Sequence, residues 1–267
     1  MDKKKLRVIK IGGNVIDDEI ALLQFLKDFA AVDGLKILVH GGGKIASELS
    51  RKLEIEPELA DGRRITDKET LKIVTMVYAG LINKNIVAKL FLYGCKTFGL
   101  TGADGNMVLA HKRHHPSIDF GFVGDIDKVN SELITDLLEK NYCLVIAPLT
   151  HDGEGNLLNT NADTIASAIA MELGGTYELE LVFCFEKRGL LSDPGNEESV
   201  IPRISKAKAA EMISQQLISA GMIPKVHNIF DALEKGVEKV ILCHAKDLHS
   251  VLKENSIFGT TFVLNED

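Results

Sequence analysis

Short runs of consecutive apolar residues alternate along the chain with longer stretches in which apolar positions recur every three or four residues, a pattern of strands and amphipathic helices taken in turn. Leu6 to Ile11 is the first such run. It is closed by Gly12-Gly13, and Asp17-Asp18-Glu19 then open a helix predicted to reach about Ala31, with acidic side chains in the turn where helix N–H groups lack partners. Lys36 to Val39 predicts a second strand, which breaks into His40-Gly41-Gly42-Gly43 before a helix from Lys44 to about Leu53. From Asp67 to about Tyr93, Leu71, Val74, Val77, Tyr78, Leu81 and Ile82 trace one long helix weakened only by Gly80, a length suited to spanning a lobe or a subunit interface. Thr97 to Val129 reads differently: Gly99, Gly102, Gly105, Gly121 and Gly124 separate short apolar runs, as in an antiparallel excursion placed over a site. Ser131 to Glu139 is predicted as helix, Cys143 to Pro148 as strand, and Ala162 to Leu173 as a helix capped by Asn161.

Gly174-Gly175 marks the expected boundary between two lobes, residues 1–175 and 176–267, because a new strand from Leu179 to Phe185 restarts the alternation. The second lobe is predicted to hold helices at Lys206 to Leu217 and Pro224 to Lys235, and strands at Lys239 to Leu242 and Thr260 to Leu264. No internal repeat is visible. The whole predicts an α/β fold around a mainly parallel sheet.

Composition narrows the function more than the fold. A formal net charge of -7 argues against a general binder of nucleic acid or anionic membrane, so an anionic substrate has to be held by positive groups placed locally. The four cysteines, Cys95, Cys143, Cys184 and Cys243, form no C-x-x-C pair and read as buried reduced thiols of a cytoplasmic protein. The run Val8 to Ile11 is too short for a signal peptide, and no stretch is expected to approach the roughly 18 apolar residues of a membrane span.

Two segments suggest phosphate chemistry. Lys10-Ile11-Gly12-Gly13-Asn14 sets a lysine at a strand end before glycines whose amides are unshielded, although a plain tight turn with a solvated lysine explains this segment equally well. His40-Gly41-Gly42-Gly43-Lys44 repeats the device after the second strand and matches neither the Walker A nor the dinucleotide glycine pattern. Three successive glycines are costly in conformational entropy, which favours close contact with an anion. Both cradles fall at the carboxyl ends of adjacent predicted strands, where α/β proteins usually bind ligands. Asp61 to Thr66 offers Arg64 as a guanidinium fork for a carboxylate. Leu158 to Asp163 brings two amides and a carboxylate to a helix entry, of which a capping turn explains one, and Lys225 sits just inside a helix start, where the macrodipole disfavours a cation. His111-Lys112-Arg113-His114-His115 has no carboxylate or cysteine at ligand spacing and reads as a solvated loop, so no metal site is expected.

Taken in order, IKIGGN, HGGGK, DGRRIT, NTNAD and GMIPKV resemble the amino acid kinase family over nearly the whole chain, most closely the branch whose members phosphorylate N-acetyl-L-glutamate. The resemblance implies an αβα sandwich with a mainly parallel central sheet, an N-terminal lobe that binds the acyl amino acid and dimerises, and a C-terminal nucleotide lobe. It implies that Lys10 and Lys225 meet the transferring phosphoryl group and that Asp163 positions both. Gly12 and Gly13, with Lys10 and Lys225, would bind phosphates of the nucleotide. Gly42, Gly43, Arg64 and Asn159 would hold the substrate. ATP with Mg2+ is the implied co-substrate, an N-acyl-L-glutamate the acceptor, arginine biosynthesis the setting and a homodimer the assembly. The acyl group stays open between N-acetyl, which the resemblance favours, and N-succinyl. Sibling glutamate, aspartate or carbamate kinases and a non-catalytic binding homologue are the alternatives. One segment departs from the family pattern: Phe185-Glu186-Lys187-Arg188-Gly189 stands where relatives carry an aspartate before the turn.

Overall fold

The computed structural model describes residues 3–265 except 61, 194, 197, 219–221, 254, 255 and 257, so Asp61 and Gly221 of the motifs above lie outside the described residues. The strands are β1 (Lys5–Ile11), β2 (Leu35–His40), β3 (Leu59–Ala60), β4 (Arg63–Arg64), β5 (Thr97–Leu100), β6 (Val108–Lys112) and β7 (Gly124–Val129). They continue with β8 (Cys143–Ile146), β9 (Leu149–His151), β10 (Leu157–Asn159), β11 (Glu178–Phe185), β12 (Arg203–Ser205), β13 (Lys239–His244) and β14 (Thr260–Val263). Eight of them form one sheet in the order β12-β14-β13-β11-β1-β2-β8-β5, parallel throughout except where β14 runs against β13.

The sheet is covered on both faces, which is why its inner strands read as near-continuous hydrophobic runs, broken within β1 and β11 by Arg7 and Glu180, a buried pair 2.7 Å apart. Strand alternation sorts each residue to one side. Leu6, Val8, Val39, Leu179 and Leu181 pack against helices Ser131–Glu139, Ala162–Leu173, Lys206–Ser214 and Ile223–Glu234. Ile9, Ile11, Leu38, Val182 and Cys184 pack against helices Glu19–Ala30, Gly43–Lys52 and the long helix Lys68–Phe91. The result is the expected αβα sandwich. β1 pairs directly with β11, so strands on either side of Gly174-Gly175 share the sheet, and a Cβ on Gly174 would lie 2.7 Å from the Gly236 carbonyl oxygen.

Two expectations need correcting. Thr97–Leu100 is not part of a separate excursion but the edge strand β5, parallel to β8; its apolar residues are claimed by the main sheet before the chain departs. Only β6 and β7 form the antiparallel hairpin, and they extend into a second sheet, β10-β9-β6-β7, whose short strands lack the length for a periodic signal. The long helix is also apolar enough, by length and composition, to cross a membrane, against the expectation that no stretch approaches this. Its Ile73, Val74, Val77, Ile82, Ile86 and Leu90 are buried against the sheet, the packing of a core helix.

That helix starts on Asp67, whose side chain accepts from the Thr70 amide at 2.7 Å, and is wound as a π-helix over Thr75–Ile82. Such wide turns collect near functional sites. Here the turn sets Tyr78 and Ile82 beside the second glycine loop: a Cβ on Gly42, at φ +149°, would stand 2.2 Å from Ile82 Cδ1.

Candidate active site

Lys10 continues the row Leu6–Val8 on the face of β1 that meets helix Ala162–Leu173, and the row turns from apolar to cationic where the strand leaves the core. Asp163, in the first turn of that helix, receives it: Lys10 Nζ lies 2.7 Å from Oδ1 and Lys225 Nζ 3.3 Å from Oδ2. Lys225 is the third residue of helix Ile223–Glu234, its Nζ 5.3 Å from the Phe185 ring centroid. Burial pushes the Asp163 carboxyl up, but the two lysines outweigh it and hold it below the usual carboxylate range. Two ammonium groups around one carboxylate leave a surplus positive charge, available to a further anion.

The glycine loops flank this trio. Ile11 and His40 are register partners at the ends of β1 and β2, so the loops that follow are neighbours, tied by Gly41 N–H donating to the Ile11 carbonyl at 3.1 Å. Gly12 N–H donates to the Cys184 carbonyl at 3.3 Å and is thereby occupied. Gly13 and Gly43 open helices, and Gly42 caps the second with no side-chain cap, so their amides have no intrahelical acceptor. A Cβ on Gly13 would meet nothing within 4 Å. Open space therefore lies beside Gly13 and Lys10.

That space is a cavity of about 240 Å³ lined by Lys10, the glycines of both loops, Arg64, Tyr78, Asn159 and Asp163. Arg64 Nη2 donates to the Gly43 carbonyl at 2.8 Å and to Ser47 Oγ at 2.7 Å, which braces the second loop. Its Nη1 is buried with no acceptor in hydrogen-bonding geometry, and the Tyr78 hydroxyl also interacts with the guanidinium. A buried guanidinium nitrogen without an acceptor costs on the order of 1–3 kcal/mol or more, so an anion in the cavity is the natural partner. Asn159 Nδ2 donates to Thr66 Oγ1 at 3.0 Å, leaving its Oδ1 as an acceptor. Thr66 is in turn fixed by donating to the Arg64 carbonyl at 2.9 Å.

The three polar residues of the Asn159 to Asp163 segment thus divide their work. Asn161 is the cap, accepting from the amides of Asp163 at 2.8 Å and Thr164 at 3.2 Å; Asn159 faces the cavity and Asp163 the lysines. Sequence reasoning missed Ser47, Thr66 and Tyr78. Ser47 and Tyr78 lie on helices that read as ordinary amphipathic elements, and Thr66 acts only because the chain folds Asn159 back onto it. His111 pairs across the hairpin with Asp127 at 2.6 Å, and among the described residues no group of three His, Cys, Asp or Glu could hold a metal ion. In the departing segment, Arg188 pairs with Glu198 at 2.9 Å, and a Cβ on Gly189 would come within 2.6 Å of Thr260 Oγ1.

Glycine loops, a buried guanidinium and a Lys-Asp-Lys cluster at the carboxyl edge of a parallel sheet define an α/β protein that handles phosphate and carboxylate together. The model of the amino acid kinase family matches residues 5–244, and the chain belongs to that family. It is 53% identical over 263 residues to an acetylglutamate kinase of Cytophaga hutchinsonii, covering 98% of this chain and 100% of that one. To an acetylglutamate kinase of Bacteroides fragilis it is 50% identical over 248 residues, 93% of this chain and 95% of the relative. Among solved structures, smu.665 from Streptococcus mutans superposes with a TM-score of 0.75 at 26% identity, over 97% of this chain and 99% of that one. A carbamate kinase of Giardia shares the fold at a TM-score of 0.69 and 12% identity, over 99% of each chain.

Proposed function

We propose that the protein transfers the γ-phosphoryl group of ATP to the γ-carboxylate of N-acetyl-L-glutamate, forming an acyl phosphate and ADP in arginine biosynthesis. The observation that carries this is Asp163 lying between Lys10 and Lys225 at a cavity that Arg64 also lines, its buried Nη1 lacking an acceptor in hydrogen-bonding geometry. A γ-carboxylate oxygen attacks the γ-phosphorus as the bond to the ADP oxygen breaks. The nucleophile is already ionised near neutrality, with a reference pKa of about 4.3, so no general base is needed. Lys10 and Lys225 offset charge on the transferred oxygens, Asp163 keeps both in place, and the free amides of Gly13, Gly42 and Gly43 donate to phosphoryl and carboxylate oxygens. In this scheme residues 1–175 bind the acyl amino acid and residues 176–267 the nucleotide. Mg2+ would arrive on the ATP phosphates. The free state of all four thiols fits work in a reducing cytoplasm.

Arg64 Nη1 would take the α-carboxylate, and Asn159 Oδ1 the amide N–H created by acylation. A free ammonium at that place would need a carboxylate, and among the described residues the acidic side chain lining the cavity, Asp163, is committed to two lysines. In a coupled ADP-release assay, N-acetyl-L-glutamate should be turned over and free glutamate should give kcat/KM lower by at least about 100-fold, the cost of an ammonium charge left without a counter-charge. Comparable turnover of glutamate would sink the assignment.

The long helix, with its neighbour Glu19–Ala30, leaves Ile20, Met76, Leu81, Phe91 and Leu92 between 52% and 81% exposed. A second copy of the chain would cover this apolar stripe in a homodimer. Multi-angle light scattering at micromolar concentration should give twice the 29.2 kDa chain mass, and a monomer would count against it.

A further inference from the structure

Behind the second glycine loop lies a buried polar relay that the scheme above does not use. His40, the last residue of β2, is fully buried. Its Nδ1 is 2.8 Å from the carbonyl oxygen of Gly41, and its Nε2 is 3.2 Å from Asn83 Nδ2. A carbonyl can only accept and an amide nitrogen can only donate, so these partners require a proton on Nδ1 and a lone pair on Nε2. Asn83 is itself fixed: Nδ2 also donates to the Val145 carbonyl at 3.0 Å, and Oδ1 accepts from Lys84 Nζ at 3.1 Å. Lys84 completes the relay by donating to the Gly99 carbonyl at 2.6 Å. The relay therefore ties the loop to β8, to the edge strand β5 and to the helix just past its π-wound turn.

In a trans peptide the C=O and N–H point in opposite directions. With the Gly41 oxygen turned inward onto the His40 ring, the N–H of the same peptide unit, that of Gly42, is aimed away from the core and toward the cavity. Gly42 N–H has no backbone acceptor in the loop, whereas the amide of Gly41 is spent on Ile11. We propose that His40 is a positioning residue for phosphoryl transfer, holding the Gly41–Gly42 peptide so that the Gly42 N–H is presented to the oxygens that gain charge in the transition state. Burial, with Lys84 as the charged group facing the ring, keeps the imidazole uncharged to about pH 4, as an acceptor at Nε2 requires.

The inference rests on the phosphoryl-transfer scheme, and the test separates the two. Asparagine can place a donor where Nδ1–H stands, while glutamine reaches toward Asn83 but leaves the Gly41 carbonyl without its donor. His40→Gln should lower kcat roughly 100-fold, the effect of losing one preorganised donor, with KM for N-acetyl-L-glutamate within about threefold. His40→Asn should recover kcat to within about threefold of wild type. Equal losses in both variants, or losses confined to KM, would overturn the role. Long-range 1H–15N correlation spectra of the unaltered protein read the tautomer whether or not the variants fold. An Nδ1–H tautomer persisting at pH 5.5 is expected, and an Nε2–H tautomer or an imidazolium there overturns the proposal. A wild-type protein that turns over no acylated glutamate would instead fail the phosphoryl-transfer scheme and leave the tautomer result standing.

Discussion

Lys10→Met should lower kcat by roughly 100- to 1,000-fold while KM for ATP and for N-acetyl-L-glutamate changes by no more than about threefold, the range seen when one preorganised electrostatic group is removed from a transition state. Methionine is close to lysine in length and shape, so the row Leu6–Val8 and the packing at the end of β1 should survive and the loss should report charge. The asymmetry between kcat and KM follows from where Lys10 stands. Its ammonium is already 2.7 Å from Asp163 before substrate arrives, so its attraction for a ground-state carboxylate is largely spent. As the phosphoryl group moves, charge spreads over its oxygens beside Lys10, and only there does the ammonium gain more than it had. Asp163 would meanwhile keep Lys225 alone, and its carboxyl, pushed up by burial and held down by two lysines, would rise. Steady-state kinetics with circular dichroism on the same sample would test this. A kcat within about twofold of wild type would place Lys10 away from the transferring group.

How much of this could be read from the sequence depends on how local the cause is. β1, β2 and β11 were legible because strands buried on both faces leave mostly apolar runs despite single charged residues, and Asn161 because a cap acts on amides two and three residues ahead. Lys10 and Lys225 stood out by misplacement, one cation ending an apolar row and one inside a helix start. β5 was misassigned because four residues carry too little pattern to tell an edge strand from a hairpin arm, and pairing with β8, which lies more than forty residues on, settled the matter. The π-wound turn at Thr75–Ile82 left no trace beyond Gly80, since its period differs from an α-helix by too little to show over eight residues. The relay His40-Asn83-Lys84 was invisible for a different reason. Its members come from two distant segments: His40 reads as the polar end of a strand, and Asn83 and Lys84 as polar positions within the long helix.

Arg64→Ala should raise KM for N-acetyl-L-glutamate roughly 10- to 100-fold, the equivalent of about 1.5–3 kcal/mol for a charged hydrogen bond, with a smaller effect on kcat. The α-carboxylate that Arg64 Nη1 would hold does not change charge during the reaction, so its binding is uniform between ground and transition states. ATP should be affected least, because among the described residues the Arg64 side chain meets Gly43, Ser47 and Tyr78 and not the lysine cluster. Those same contacts raise an alternative, in which alanine acts by loosening the second glycine loop rather than by removing a ligand for the carboxylate. Ser47→Ala separates the two, since it takes away one of the braces on Nη2 and leaves the buried Nη1 in place. It should shift KM by less than about threefold. If Ser47→Ala reproduces the loss, the guanidinium is a brace. If Arg64→Ala mainly raises KM for ATP, Arg64 and Lys10 have been set at the wrong ends of the reaction. A rise in KM confined to the acylated glutamate and absent from Ser47→Ala would leave the empty hydrogen-bonding position on Nη1 as its cause.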